Sequence, residues 1–331
     1  MGVIGAGAIG CYVGGRLHAG GADVVLVGRE SGKRAVEEHG LTLVGIDGET
    51  AALGRVRFET DAAALADRDI VLCAVKSSAT EETAERLDAV LAKRAIVVSL
   101  QNGLRAAETL RACARETLAS VVGFNVVSKG DGVFRQATSG KLVIESSPDP
   151  RVTELVAALA AAGFESSAVK DIRRVQWAKL LVNLNNAVSA LSGAPTKEIV
   201  LSAGYRRILA AVIREALDVL GAARIRPANL TGLPMWLFPL ALSLPTPIVR
   251  IVARAQLKID PEARSSMWED LVKRRKTEVD DLNGEIVRLA ESCGLEAPLN
   301  RRVVALVHEA EREAKGSPGL AASVLAARLG V

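Results

Sequence analysis

The sequence predicts an α/β protein in which an N-terminal, doubly wound parallel sheet is followed by an all-helical C-terminal domain. Short apolar stretches alternate with helical patterns from Val3 to Glu145, which is typical of parallel strands with helices on both faces. Beyond Asp171 the strand pattern ends and long amphipathic stretches follow. The 331 residues are roughly twice the usual size of one domain. We therefore place two domains at residues 1–170 and 171–331.

The composition excludes several classes of function. Aromatic residues make up only 3% of the chain and the net charge is only +4, so neither a stacking platform nor a basic footprint for nucleic acid is predicted. The four cysteines lie far apart without a Cys-x-x-Cys pair, and there are three histidines. We therefore expect no disulfide framework and no metal site, and proton chemistry is left to lysine or carboxylate.

The sequence indicates a cytoplasmic protein. It opens without a basic leader or a cleavable apolar core, and scattered cysteines suit a reducing compartment. Residues 228–249 carry no charge, but four prolines interrupt them, which disfavours a membrane-spanning helix. We interpret this segment as buried and kinked or as a subunit contact, which leaves a monomer and a homodimer open. The prolines are Pro234, Pro239, Pro245 and Pro247.

A glycine motif follows the first strand. The strand ends at Ile4, a helical pattern runs to Leu17, and a second strand spans residues 23–27. A G-x-G-x-x-G motif in this position is the fingerprint of a Rossmann-type dinucleotide-binding domain, because its glycines allow a tight turn, a close approach to pyrophosphate and close helix–sheet packing. The following helix N-terminus offers N–H groups to the phosphates. The motif consists of Gly5, Ala6, Gly7, Ala8, Ile9 and Gly10.

The end of the second strand bears on the choice of cofactor. An NAD site places a carboxylate about 20 residues beyond the glycines, where it accepts hydrogen bonds from the ribose. Here the strand is followed by Gly28-Arg29-Glu30. The planar guanidinium of Arg29 suits a 2′-phosphate, whereas Glu30 could serve as the ribose carboxylate. We therefore expect NADP, with NAD as the alternative.

Two polar clusters follow later strands. Lys76-Ser77-Ser78 comes after the strand at 70–75, and Gln101-Asn102-Gly103 comes after the strand at 95–100. Ligands of doubly wound sheets bind beyond the carboxyl ends of the strands, so Lys76 and Asn102 are candidate binding residues. A surface lysine and an Asn-Gly turn are the alternatives. Further strands are predicted at 120–127 and 142–145, and a helix at 81–91.

Long helices are predicted at 175–191, 204–220, 267–293 and 300–314. In the first, Lys179, Asn183 and Asn186 stand at i, i+4 and i+7 and therefore share one face. Their neighbours are apolar. The pattern indicates either hydrogen bonds between helices or a polar site in an apolar wall.

The helix predicted at 267–293 starts beside two serines. Ser266 and Glu269 match a capping box. Glu278 lies between Lys276 and Asp280 and belongs either to a solvated charged face or to a site. One straight helix would separate Ser266 from Glu278 by roughly 18 Å, too far for both to touch one small acid.

Taken together, these motifs resemble the ketopantoate reductase (2-dehydropantoate 2-reductase) family in order along nearly the whole chain. The resemblance implies NADPH-dependent reduction of 2-dehydropantoate to (R)-pantoate, on the route to pantothenate and coenzyme A. It also implies an active site between the Rossmann and helical domains. The matching segments are the glycine motif, Val75-Lys76, Gln101-Asn102-Gly103, residues 177–183 and Ser265-Ser266-Met267 with Thr277-Glu278.

The resemblance assigns roles residue by residue. It implies that Lys179 is the catalytic lysine and general acid, and that Glu278 is the carboxylate beside the reacting oxygen. The other implied contacts are with substrate for Asn183 and Ser266, with nicotinamide and substrate for Asn102, and with cofactor for Arg29 and Lys76.

The chain departs from the family at one position. Many members carry a second asparagine eight residues after the lysine, where this chain has Ala187. Asn186 points along the same face and is the candidate substitute for substrate binding. Because asparagines of this kind select the substrate, reduction of another 2-oxo acid and an opine-type dehydrogenase are alternatives. A non-catalytic NADP(H) sensor is a further alternative from a different class.

Overall fold

Strands and helices alternate in the first half of the chain, and the described part of the second half is helical. The computed structural model describes residues 1–112, 115–229, 233–252 and 263–331. The chain divides into two compact units, Met1–Gln176 and Trp177–Val331. The predicted fold class, a Rossmann-type α/β domain followed by a helical domain, is confirmed.

The first unit holds all the strands of the described chain and five complete helices. The strands are β1 (Gly2–Ile4), β2 (Val25–Val27), β3 (Leu41–Val44), β4 (Thr50–Leu53), β5 (Arg57–Glu59), β6 (Ile70–Cys73), β7 (Ile96–Ser99), β8 (Glu116–Val122), β9 (Val126–Gly130), β10 (Val133–Gln136), β11 (Leu142–Glu145) and β12 (Ser166–Val169). The helices are α1 (Ala8–Ala19), α2 (Glu30–His39), α3 (Thr80–Val90), α4 (Ala106–Arg111) and α5 (Pro150–Ala161).

Eight strands form the main sheet in the order β12-β11-β8-β7-β6-β1-β2-β5. The six strands from β8 to β5 are parallel, and β1 lies between β2 and β6. The chain therefore leaves β1 in one direction for β2 and later in the other for β6, which is the switch point where ligands bind in such sheets. Ile4 is in register with both Val27 and Cys73, and Cys73 with Ser99, so these strands end at one edge.

The apolar strands are buried on both faces. Val3 packs in one core cluster with Tyr12 and Leu17 of α1, whereas Ile4 packs in a second cluster with Leu87 of α3. Because alternate side chains point to opposite faces and helices cover both, these strands are continuously apolar rather than alternating.

The sheet differs from the prediction in two respects. β11 is antiparallel to β8, so the sheet is mixed, and a second sheet of order β4-β3-β10-β9 was not predicted. The strand predicted at 120–127 is split, because β8 ends before Gly123 and Val126 joins β9 of the second sheet. Gly123 donates from its N–H to the Lys141 carbonyl, and a Cβ there would lie 2.6 Å from that oxygen.

In the second unit, α6 (Ile172–Asn183) crosses the boundary and nine further helices follow in its described residues. These are α7 (Asn185–Ser192), α8 (Thr196–Leu201), α9 (Ala203–Ala222), α10 (Phe238–Ser243), α11 (Thr246–Val252), α12 (Ser266–Val272), α13 (Asn283–Ser292), α14 (Pro298–Glu313) and α15 (Ala322–Leu329). The helices predicted at 204–220 and 300–314 correspond to α9 and α14. The helix predicted at 175–191 is divided into α6 and α7 at Leu184.

The continuous helix predicted at 267–293 is wrong. α12 ends at Val272, and residues 273–282 form a loop before α13 begins. Arg274 adopts a left-handed conformation with φ 52°, which ends the helix, and the Arg275 N–H returns to the Asp270 carbonyl. The straight-helix separation of Ser266 and Glu278 therefore does not apply.

The uncharged segment 228–249, of which residues 230–232 lie outside the described part, is partly buried, and the subunit contact stays a prediction. Met235, Pro239 and Leu242 are buried in short helical turns. Four apolar side chains nearby are exposed: Trp236, Leu240, Ile248 and Ile251. No helix within the described ranges is both long and apolar enough to cross a bilayer.

Candidate active site

The glycine motif forms a tight turn above β1. Gly5 adopts φ 89°, and a Cβ there would lie 2.5 Å from the backbone nitrogen of Val75. The N–H groups of Gly5 and Ala6 both donate to the Val27 carbonyl at 3.0 Å. The turn is therefore held by the ends of β2 and β6, at the switch point of the sheet.

The N-terminus of α1 is open above this turn. Gly7 is the N-cap residue and no side chain caps the helix, so the N–H groups of its first turn are available to a ligand. The nearest atom to a Cβ placed on Gly7 is 4.0 Å away. An anion can therefore approach the backbone closely, as a pyrophosphate requires.

Arg29 and Glu30 differ in their surroundings. Arg29 is exposed at the N-cap of α2, and its guanidinium has no ion-pair or hydrogen-bond partner in the described part of the chain. Glu30 instead lies 3.6 Å from Arg34, one turn along the same helix. The guanidinium of Arg29 can therefore donate several hydrogen bonds to an anion, whereas Glu30 is already paired with Arg34.

Lys76 and Asn102 stand beyond the ends of β6 and β7, at the same edge as the glycine turn. Lys76 is exposed and Asn102 is half-buried. Gln101, which precedes Asn102, is buried, and its amide joins Ser99 and Thr80 at 3.2 and 2.7 Å. Gln101 therefore fixes the loop that presents Asn102, a structural role that the sequence did not distinguish from binding.

In the second unit, Lys179 and Asn183 face the same way along α6. Neither side chain has a hydrogen-bond or ion-pair partner among the residues that the structure describes. Asn183 is 8% exposed. Desolvation lowers the pKa of Lys179 to about 8, although the residue keeps some accessible surface. A desolvated, unpaired ammonium one turn from a buried, unpaired amide is a polar site in an apolar wall.

Asn186 lies beyond the break at Leu184 and on the same side of the unit as the start of α12. Its carbonyl oxygen accepts from the hydroxyl of Ser265 at 3.0 Å. Ala187, where many family members have asparagine, is fully buried. In this chain the side-chain amide is therefore at Asn186, which is half-buried, and not at position 187.

The capping box predicted for Ser266 is wrong, because Ser265 is the N-cap of α12. The Ser265 hydroxyl accepts from the Trp268 N–H at 3.2 Å, and its N–H lies 3.4 Å from the Ser189 hydroxyl. Ser266 is consequently the first helical residue, exposed and without a side-chain partner in the described ranges. Its hydroxyl is free to bind a ligand, while Ser265 ties α12 to α7.

Glu278 lies in the loop 273–282 and is half-buried. Helix α14 holds this loop: Glu311 accepts from the Thr277 N–H at 2.7 Å, and His308 lies 3.0 Å from Asp280. The sequence indicated neither contact, because α14 is about 30 positions further along the chain. The feature of the sequence that could have indicated these contacts is the pair His308 and Glu311, one turn apart in the helix predicted at 300–314.

Family models match both units. A model described as Ketopantoate reductase PanE/ApbA matches residues 1–149. A second, described as Ketopantoate reductase PanE/ApbA C terminal, matches residues 171–311. A 2-dehydropantoate 2-reductase of Halobacterium salinarum is 30% identical over 320 residues, covering 94% of this chain and 98% of that protein.

Solved structures share the fold. A PanE/ApbA family ketopantoate reductase from Ralstonia eutropha is 33% identical, with a TM-score of 0.80 over 95% of this chain and 100% of the other. A D-mandelate dehydrogenase solved with NADH and anilino(oxo)acetate has a TM-score of 0.76 over 95% and 99% of the two chains. Because it is only 21% identical, this second likeness concerns the fold alone.

Proposed function

The chain belongs to the ketopantoate reductase family, an oxidoreductase family, and on that premise we propose that it reduces 2-dehydropantoate to (R)-pantoate with NADPH. The observation that carries this proposal is the desolvated Lys179 ammonium beside the unpaired Asn183 amide. Both stand at the positions where the family resemblance places the catalytic lysine and a substrate-binding asparagine.

The first unit fits a phosphorylated dinucleotide. The open backbone at Gly7 and the uncapped start of α1 suit a pyrophosphate. The free guanidinium of Arg29 suits a 2′-phosphate, and Lys76 adds positive charge at the same edge. When bound, NADPH supplies the hydride. We propose that Asn102, on the loop fixed by Gln101, contacts the nicotinamide end and the substrate.

Lys179 supplies the proton. A ketone oxygen that becomes an alkoxide must be stabilised and protonated. A lysine of pKa about 8 is mostly protonated at neutral pH and gives up its proton more readily than an ordinary lysine. The proton held on Nζ of Lys179 passes to the substrate oxygen.

The remaining polar residues orient the substrate. Glu278 accepts a hydrogen bond from the Lys179 ammonium or from the new hydroxyl. Ser266 and Asn183 donate to the substrate carboxylate, and Asn186 takes the place of the asparagine that many members carry where this chain has Ala187. The free hydroxyl of Ser266 and the free amide of Asn183 support these roles.

Reduction of another 2-oxo acid is the second candidate. The observation that favours it is Ala187, a fully buried alanine at a position where many family members carry an asparagine. One amide is therefore missing from the region that selects the substrate. A pocket with one fewer fixed amide discriminates less strongly against acids that lack the hydroxyl of 2-dehydropantoate.

We also propose a homodimer. The exposed side chains Trp236, Leu240, Ile248 and Ile251 lie close together in sequence, and exposed apolar groups of this size favour an interface. Light scattering of the purified protein at several concentrations tests this.

The deciding experiment for the reaction is the oxidation of NADPH with 2-dehydropantoate, repeated with NADH and with a panel of 2-oxo acids. We expect the highest kcat/KM for NADPH with 2-dehydropantoate. A higher kcat/KM for an unbranched or aromatic 2-oxo acid would support the second candidate. Absence of turnover with every acid, despite tight NADPH binding, would support a sensor.

A further inference from the structure

Side chains of helix α14 form hydrogen bonds with the loop that carries Glu278, on both sides of that residue. Glu311 accepts from the Thr277 N–H through one carboxylate oxygen at 2.7 Å. Its other oxygen lies 3.0 Å from Nδ1 of His308. Nε2 of His308 lies 3.0 Å from a carboxylate oxygen of Asp280. The loop is thus attached one residue before Glu278 and two residues after it.

The imidazole has a carboxylate at each nitrogen. A doubly protonated ring donates to both, whereas a neutral ring donates to only one and turns a lone pair toward the other. Asp280 comes from the loop and Glu311 from α14, and Arg288 of α13 donates to the Asp280 carbonyl at 2.7 Å. The Thr277 bond to Glu311 and the Arg288 bond to Asp280 do not involve the imidazole. His308 adds a link between the Asp280 and Glu311 carboxylates, and both of its hydrogen bonds are donated only while the ring carries its second proton.

We propose that His308 is a positioning residue that tightens the attachment of the Glu278 loop to α14 when protonated and loosens it when neutral. The proposal rests on the proposed function for its catalytic consequence, since Glu278 is assigned there. Under this proposal, the position of Glu278 depends on pH through the protonation of His308.

The surroundings favour the protonated form. Burial by itself would lower the pKa of His308, but the hydrogen bonds and negative charges of Asp280 and then Glu311 outweigh it and raise the pKa above its usual value. The side chain of Glu311 is only 15% exposed, so its charge is weakly screened by solvent.

Three measurements on the full chain test the proposal. NMR gives the pKa of His308, which is readily assigned because the chain has only three histidines. Amide hydrogen exchange reports the protection of Thr277. Steady-state kinetics separate kcat from KM. The variants are His308→Gln, which cannot carry the charge, and Asp280→Asn, which keeps an acceptor. Glu309→Gln is the control, since Glu309 lies on α14 but pairs with Arg328.

We expect a raised pKa for His308 in the wild type and a lower one in Asp280→Asn. Thr277 exchange should rise about tenfold in His308→Gln. The kcat of His308→Gln should fall roughly 10- to 100-fold, with its NADPH affinity unchanged. Glu309→Gln should behave as wild type. In Asp280→Asn the loss of kcat on raising the pH should begin at a lower pH, following the lower pKa of His308.

Unchanged exchange of Thr277 in His308→Gln, or a His308 pKa at or below its ordinary value, would overturn the proposal. If the wild type reduces no 2-oxo acid, the proposed function fails, but the pKa and exchange data still decide whether His308 holds the loop.

Discussion

The backbone of Gly10 packs so closely on the carbonyl oxygen of Gly5 that a Cβ atom on Gly10 would collide with it. The obstacle is backbone held by the ends of two strands, so it cannot move aside. Gly7, in the same turn, has open space around its Cα. We therefore propose that Gly10 serves close packing of the turn, whereas Gly7 serves the approach of a ligand.

We expect Gly10→Ala to lower the free energy of unfolding by about 1–3 kcal/mol through overpacking. Gly7→Ala should lower it by at most about 1 kcal/mol, since Gly7 is an N-cap with negative φ, yet weaken NADPH binding at least tenfold by blocking the phosphate. Denaturation and NADPH fluorescence titration measure the two effects. Equal stability of both variants would contradict the assignment for Gly10.

Arg29 should determine the preference between the two cofactors. Because its guanidinium has no partner within the described residues, Arg29→Ala should raise the KM for NADPH roughly 10- to 100-fold and leave that for NADH nearly unchanged. Arg29→Lys, which keeps the charge without the planar fork, should lie between. The ratio of kcat/KM values with the two cofactors is the measurement, and an unchanged ratio in Arg29→Ala would exclude the role.

Lys179 should lower the stability of the folded protein while raising its catalytic activity. In the folded protein its pKa is about 8, below the ordinary lysine value of 10.5. At pH 7 the folded state bears the cost of desolvating the ammonium, and between pH 8 and 10.5 that cost disappears as the folded state loses the proton first. The free energy of unfolding should therefore rise with pH across that window.

Lys179→Met should therefore have a higher free energy of unfolding than wild type at pH 7, by on the order of 1–3 kcal/mol, with a smaller difference at pH 10. Its kcat should fall at least about a hundredfold with NADPH affinity retained. In the wild type, kcat should fall as the pH exceeds about 8. The exposed Lys170, changed to Met, is the control and should alter neither property.

Ser265 and Ser266 are neighbours with separable roles. Ser265→Ala removes the N-cap of α12 and the bond to Asn186, which should cost about 1–2 kcal/mol of stability. Ser266→Ala should leave stability unchanged and raise the KM for 2-dehydropantoate roughly tenfold. Thermal denaturation and steady-state kinetics of both variants test this. The opposite pattern would restore Ser266 as the helix cap.

Arg206 should be essential for the fold of the second unit. It is 2% exposed and donates to the carbonyls of Val200, Leu242 and Leu244, which end short helices. Arg206→Met would leave these carbonyls buried without donors and should cost at least about 3 kcal/mol. Its exposed neighbour Arg207, changed to Met, should cost less than about 0.5 kcal/mol. Chemical denaturation compares the two.

Several features of the site could be predicted from the sequence because they depend on local rules. The glycine turn, the strand ends before Lys76 and Asn102, and the shared face of Lys179 and Asn183 follow from spacing alone. The capping residue was misassigned by one position, since Ser265 and Ser266 are chemically identical and only the backbone direction separates them. The break after α12 was missed because its left-handed residue is Arg274, not glycine.

The sequence by itself determined the fold class, the glycine turn and the resemblance to the family, because hydrophobic period and glycine spacing act over a few residues. Only the tertiary structure decided which polar groups are free and which are held. The free ammonium of Lys179, the buried Gln101 and the attachment of the Glu278 loop to His308 and Glu311 arise from residues that are distant in the chain. Hydrogen bonding and desolvation depend on such neighbours, and no local pattern encodes them.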